Sequence, residues 1–430
     1  MKKRPGTAAS AASRLSAPAN AAEPMSVGGD PLPRAEPEDV GMSSERLARL
    51  GTALKEDIGR GLMPGGVIAI ARRGKLVALD AYGWRDKASD VAMTTDSIFA
   101  VASMLKPMVS VGALMLYEQG RLLMDDPLSK YFPQFADMRV AARDSNGNPT
   151  TDTVPAVRQI TIQDLSRHTS GTVYGGFGAT VVHKMYPSGS FAITGMSPKQ
   201  FVDKLASLPL LHQPGEVWDY GFGQDLLGLV IEQISGQRLG DYLQTNLFGP
   251  LGMTDMAFYI PPEKAARIAQ PLPVDPNSGK PQGPSPVFTK RLCIECGGGC
   301  AASTATDYLR FALMLMNNGR SDATRILSRK TVEYMLSDHL GPKITNLIGK
   351  ADPTRADFTF GLGLAIKSTT GITRMMGSPG LFTWPGTTGT DWWADPKEDL
   401  AVVYLGATPG PMRWYYRQKI NALVYQAIID

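Results

Sequence analysis

The chain has little from which to build a metal site. It carries three Cys and four His in 430 residues, and no His-Glu-x-x-His pair. Cys293, Cys296 and Cys300 are spaced CxxCxxxC. A zinc clip needs a fourth ligand, and the nearest His in sequence is His339. We therefore expect no metal. The thiols read as passengers of a Gly-rich loop, with a Cys293–Cys296 disulfide as the alternative. No run approaches the roughly 18 apolar residues of a membrane span. Excess charge is also scarce: 44 basic residues against 40 acidic leave a net +4. The only basic block is Lys2-Lys3-Arg4, so no nucleic-acid partner is expected. That block and Ala19-Asn20-Ala21 resemble the two ends of a signal peptide, but the apolar core of about 7–15 residues between them is missing. Residues 1–30, rich in Ala, Ser and Pro, read as a disordered segment. The expected location is cytoplasmic, with periplasmic or secreted as alternatives. There is no Gly-x-Ser-x-Gly elbow, which argues against an α/β-hydrolase fold.

What is present is an ordinary globular composition, 43% hydrophobic and 20% charged. A chain this long can bury a core without disulfide support. Ser43 to Gly59 reads as a capped amphipathic helix, with Leu47, Leu50 and Leu54 on one face. Gly65 to Ala71 and Leu76 to Leu79 read as a hairpin turned by Arg72-Arg73-Gly74-Lys75. A helix then starts at Ser103 and runs through Glu118, with Pro107 tolerated in its first turn. From there to about residue 290 the strand signal fades. Helices are expected near Ile160–Arg167, Pro198–Leu208, Asp225–Ile234 and Asp241–Phe248, with a Pro-rich loop from Tyr259 to Pro286. Helices over Ala305–Met316 and Arg329–Leu336 follow. Strands return at Phe360–Leu364, Gly389–Asp395 and Asp399–Leu405, and a helix over Arg413–Ile429 closes the chain. Strands at both ends with helices between them imply one sheet built from both ends. The expected class is α+β: an antiparallel sheet flanked by terminal helices (residues 31–120 and 300–430) with a mostly helical insertion (121–299).

Three stretches carry candidate chemistry. The first contains Ser103-x-x-Lys106. Residues i and i+3 of a helix share a face, so hydroxyl and amine can touch. A serine hydroxyl becomes a nucleophile when a base takes its proton. A lysine serves when burial or a nearby cation keeps its amine neutral. Alone, the pattern is loose, since a helical Ser and a solvated Lys also satisfy it. The second stretch, Pro214 to Gly228, holds Tyr220 on a turn before a helix. A lysine ammonium beside it would favour phenolate and make Tyr220 a general base. The third, Leu381 to Gly389, precedes a predicted strand. An edge strand there could lend the Thr387 N–H, beside that of Ser103, to a tetrahedral oxyanion.

The order Ser103-x-x-Lys106, Tyr220, Trp384-x-Gly386 resembles the serine β-lactamase-like superfamily, a class C β-lactamase or penicillin-binding-protein fold, and most of all its family VIII carboxylesterases. Further stretches resemble that family: Ile160 to Gly171, Pro250-Leu251-Gly252-Met253-Thr254, Gly297-Gly298-Gly299 with Ser303-Thr304-Ala305, and Asp395-Pro396. The resemblance implies that Ser103 is the acylated nucleophile, Lys106 its proton partner and Tyr220 the general base. It also implies an oxyanion hole from the N–H groups of Ser103 and Thr387. Trp384, Gly386 and Phe222 would bind substrate. Two departures stand out. Phe222 takes the Asn position of the lactamase Tyr-x-Asn, and Trp384-Pro385-Gly386 replaces Lys-Thr-Gly. Both remove polar groups, which favours a neutral, hydrophobic small-molecule ester.

The sequence therefore predicts a serine carboxylesterase working through an acyl-enzyme, without a cofactor. The rivals are amide chemistry (β-lactamase, D-aminopeptidase, amide hydrolase), an acyltransferase, and a catalytically silent binding module. No oligomeric state is assigned.

Overall fold

A computed structural model describes residues 30–321 and 324–430. The expectation for residues 1–30 lies, apart from Asp30, outside the described residues.

Helix α1 (Ser44–Gly59) is capped by Ser43, whose hydroxyl accepts from the Arg46 N–H. Strands β1 (Gly65–Arg72), β2 (Lys75–Asp86) and β3 (Val91–Ala92) follow. Next come α2 (Lys106–Glu118), α3 (Gly223–Ser235) and α4 (Ala305–Met316). The chain then returns to strand: β4 (Phe358–Phe360), β5 (Ala365–Lys367), β6 (Phe382–Thr383), β7 (Asp391–Asp395) and β8 (Leu400–Gly406). Helix α5 (Met412–Tyr425) closes it. The eight strands form one antiparallel sheet in the order β4-β5-β6-β7-β8-β1-β2-β3. The fold is thus α+β, and its centre is the pairing of β1 with β8, in register from Gly66↔Gly406 to Arg72↔Leu400.

Every residue of β1 and β8 is buried, so both faces of the sheet are covered. Two neighbouring tryptophans on β7 show by what. Successive strand residues point to opposite faces. Trp392 meets Tyr308 and Phe311 of α4, while Trp393 stacks on Tyr425 of α5. Helix α1 packs beside α5. The termini of the described fold are tied together there: the Ser43 N–H donates to the Ala427 carbonyl, the Ile429 N–H to that of Gly41, and Arg72 pairs with Asp430 at 2.8 Å.

The structure differs from the sequence reading in four places. Residues Arg139–Arg143 and Pro149–Pro155 form an antiparallel hairpin inside the stretch expected to be mostly helical. Strand β2 runs on to Asp86, well beyond Leu79. The strand expected over Phe360–Leu364 ends at Phe360, because Gly363 (φ 83°) turns the chain into β5. Finally, Cys296 is bonded to Cys300, while Cys293 is free and exposed. The Gly297–Gly299 turn brings those two Cα atoms to 5.3 Å, so neither expected state of the thiols is found. Among the described residues no helix is long and apolar enough to cross a membrane.

Candidate active site

Ser103 lies on a 3-10 turn, Ala102–Leu105, that leads into α2. The expected helix therefore begins with a tighter turn, in which residues i and i+3 nearly eclipse. That geometry sets Lys106 under Ser103, with Nζ 3.1 Å from Oγ. Ala102 holds φ at 46°, a left-handed backbone that costs a non-glycine residue about 1–3 kcal/mol. Its surroundings fix it there. Phe99–Ala100 pairs with Ala302–Ser303, the Val101 N–H donates to Ala301, and Tyr308 Oη donates to the Met104 carbonyl at 2.7 Å.

Tyr220 arrives from the turn before α3, and its hydroxyl is 2.7 Å from Ser103 Oγ. Two glycines permit this approach. A Cβ on Gly221 would strike the Thr172 carbonyl, and one on Gly223 would strike that of Leu165. Tyr220 is enclosed by the rings of His168, Tyr174, Phe177, Trp218 and Trp384, all within 5.9 Å between centroids. Ser103, Lys106 and Tyr220, far apart in sequence, are thus brought to one point.

Burial is the dominant electrostatic fact. It pushes the Lys106 amine down to about 7, opposed by the nearby Asp225 carboxylate. Burial pushes the Tyr220 phenol up, against its hydrogen bonds with Ser103 and Trp384. At neutral pH the structure therefore favours a partly neutral lysine and a protonated tyrosine. His168, buried at φ 59°, is held well below its ordinary value by burial and by Lys106, so its imidazole is neutral.

The turn expected to offer an oxyanion hole is not placed as the sequence suggests. Thr387 lies between β6 and β7, both internal to the sheet, so no edge strand is involved. The turn is clipped to the chain just before Ser103: Thr388 Oγ1 donates to the Ala100 carbonyl at 2.5 Å and Thr390 Oγ1 to that of Val101 at 3.4 Å. No acceptor for the Thr387 N–H is found among the described residues. From α5, Arg417 holds the Gly386 carbonyl at 2.5 Å and Asp352 at 2.6 Å.

A cavity of about 230 Å³ opens over Ser103. Its walls include Lys106, Tyr174, Phe177, Ser190, Tyr220 and Thr387. Trp384, Gly386 and Phe222 do not line it. Trp384 sits behind Tyr220 and donates Nε1–H to its hydroxyl at 3.1 Å. Phe222 is fully buried and packs on Tyr174, Tyr186 and Phe201. Gly386 serves close packing, since a Cβ would strike Thr390 Oγ1 and the Val101 carbonyl. These three support the site from behind. Among the described residues no cluster of His, Cys, Asp or Glu is arranged to hold a metal.

The family model described as Beta-lactamase matches residues 50–425. The chain belongs to the Beta-lactamase family. It is 34% identical over 359 residues to Protein Rv1367c of Mycobacterium tuberculosis (strain ATCC 25618 / H37Rv), covering 82% of this chain and 88% of that one. It is 27% identical over 399 residues to Esterase EstB of Burkholderia gladioli, covering 87% and 95%. Among solved structures it is similar to EstCE1, described as a hydrolase with promiscuous acyltransferase activity. The TM-score is 0.70 at 23% identity, with 89% of this chain and 99% of that one covered.

Within this Beta-lactamase-family site, sequence reasoning missed Asp225, Tyr174 and Ser190, and gave Gly298 no role. Gly298 is the joint between them. Its carbonyl accepts from Lys106 Nζ, and its N–H donates to Asp225 at 2.9 Å. Asp225 also accepts from Tyr174 Oη at 2.7 Å and Ser190 Oγ at 3.1 Å. A Cβ on Gly298 would collide with Ser190, Asp225 and Tyr174 at once. Gly298→Ala is therefore expected to displace the carbonyl that orients Lys106, lowering kcat by about 100-fold. The check is steady-state kinetics alongside circular dichroism; kcat within threefold of wild type would show that this peptide does not orient the lysine. The Gly297-Gly298-Gly299 run was the available signal, because consecutive glycines mark close backbone approach.

Proposed function

We propose that this protein is a serine hydrolase that cleaves carboxylic esters through an acyl-enzyme on Ser103, as a family VIII carboxylesterase would. The observation that carries this is the convergence on Ser103 Oγ of Lys106 Nζ at 3.1 Å and Tyr220 Oη at 2.7 Å. The 27% identity to Esterase EstB supports the ester class.

With its amine near pKa 7, Lys106 has a neutral fraction at physiological pH, and its lone pair can take the Ser103 proton. This changes the expected division of labour, because burial disfavours a Tyr220 phenolate. As Oγ bonds to the ester carbon, the carbonyl oxygen becomes an oxyanion before the N–H groups of Ser103 and Thr387. The carbon–oxygen bond to the alcohol then breaks. The leaving alkoxide takes the proton of Tyr220, and Tyr220 takes one back from Lys106. Water repeats the cycle on the acyl-enzyme and releases the acid.

Intact-mass spectrometry across an ester and amide library tests the reading. A single acyl adduct on Ser103 with p-nitrophenyl esters, and none with nitrocefin or D-amino-acid amides, is the expected result. No adduct with any ester, or faster acylation by the amides, would overturn it.

A further inference from the structure

A second cavity, of about 360 Å³, adjoins the one over Ser103, and the two share Phe191 and Thr387 as walls. Its other apolar lining includes Phe99, Pro284, Pro286, Ala407 and Pro409, and no charged residue lines it. Neither Ser103, Lys106 nor Tyr220 reaches it. Nothing in the catalytic scheme above uses it.

Stereochemistry says what it can hold. The attacked carbon carries four groups. One is Ser103 Oγ. The second, the oxyanion, faces the Ser103 and Thr387 N–H groups. The third, the leaving oxygen, must lie where Tyr220 can hand it a proton, so the alcohol stays in the smaller cavity among Tyr174, Phe177 and Ser190. With the alcohol on the Tyr220 side, the space left for the acyl carbon runs past Phe191 and Thr387, the walls that the two cavities share. That is where the second cavity begins.

We infer that the Phe99–Phe191–Pro284–Ala407 cavity is the acyl pocket, and that the protein acts on esters of uncharged, bulky apolar acids. The inference rests on the ester-hydrolase reading above. A volume of about 360 Å³ accommodates an acyl group on the order of ten heavy atoms. Proline walls hold their backbone in place before the ligand arrives, so little ordering entropy is lost on binding. An acyl group with its own carboxylate finds no cation there, and its desolvation would go uncompensated.

The test is a matrix of kcat/KM values for p-nitrophenyl esters from acetate to dodecanoate, set beside acetate esters of alcohols of increasing length. Each methylene entering the acyl pocket is expected to raise kcat/KM about fourfold until the pocket is full. Lengthening the alcohol should have a smaller effect. Ala407 lines this cavity, so Ala407→Phe should narrow it and lower the octanoate-to-acetate ratio of kcat/KM at least tenfold. Ala407 is buried and could resist the larger side chain, so Gly283→Trp is the companion variant. Gly283 lines the same cavity from a loop where an added Cβ meets nothing within 4 Å. An unchanged octanoate-to-acetate ratio in both folded variants, or a shift in the alcohol series alone, overturns the acyl assignment. Failure of every ester to acylate Ser103 is a different result, visible by mass, and removes the hydrolase reading itself.

Discussion

Ser103→Ala is expected to reduce turnover of p-nitrophenyl esters by about 10⁴-fold or more, to the level of general binding and oxyanion effects alone. The expectation follows from the site's geometry. Both the lysine amine and the tyrosine hydroxyl are aimed at one oxygen, and among the described residues no other hydroxyl has two such partners. Removing that oxygen leaves the proton carriers in place with nothing to activate. The change is small in volume and Ser103 is buried, so the variant should fold. It should also lose labelling by a fluorophosphonate probe. Circular dichroism like that of the wild type together with retained hydrolysis would refute the nucleophile assignment.

Lys106→Met should produce two large effects of opposite sign. Activity should fall by about 10³-fold or more, because Ser103 loses its proton acceptor. Stability should rise, because methionine fills a similar volume without burying an amine. Lys106 has its pKa lowered from 10.5 to about 7 by burial. Between those values the unfolded chain holds a proton that the folded chain has released. Wild-type stability therefore increases as pH rises through that window, and the burden is complete below pH 7. The advantage of the methionine variant should be greatest near pH 6 and shrink towards pH 10. Asp225 works against this, because it loses a favourable cation, but its own three donors remain. In the wild type, kcat/KM should climb along an acid limb near pH 7. Thermal melts of both proteins from pH 6 to 10, read beside the rate profile, decide the matter. A variant less stable than wild type at every pH would mean the lysine is not the buried, readily neutralised group described here.

How much of this was legible beforehand depended on distance along the chain. Ser103 and Lys106 are three residues apart, so one helical turn sufficed to pair them. The central strands could be read because β1 and β8 are continuous apolar runs. Tyr220 needed the resemblance, since nothing local ties it to Ser103. Asp225 went unnoticed because its partners, Tyr174, Ser190 and Gly298, come from separate loops. The Arg139–Pro155 hairpin was hidden by its exposure. Its second strand, Pro-Thr-Thr-Asp-Thr-Val-Pro, has no buried face to impose an alternating pattern. The resemblance puts Trp384 and Phe222 in the substrate's path, at the lactamase positions of Lys and Asn. That reasoning could not tell a wall from the layer behind it.

The pairing of β1 with β8 also governs the order of assembly. Val67 finds its partner in Leu405, so β1 waits for a strand made more than 300 residues later. Until then β1 carries a fully apolar stretch with one side unpaired, an invitation to intermolecular association. Closing so long a loop is slow, and the turn bearing Thr387, which leads into β7, the strand paired with β8, cannot be seated until the loop is closed. Nascent chains halted short of Leu400 should accordingly carry Ser103 and Lys106 yet be silent towards substrate, so that competence arrives only after β8 has been made.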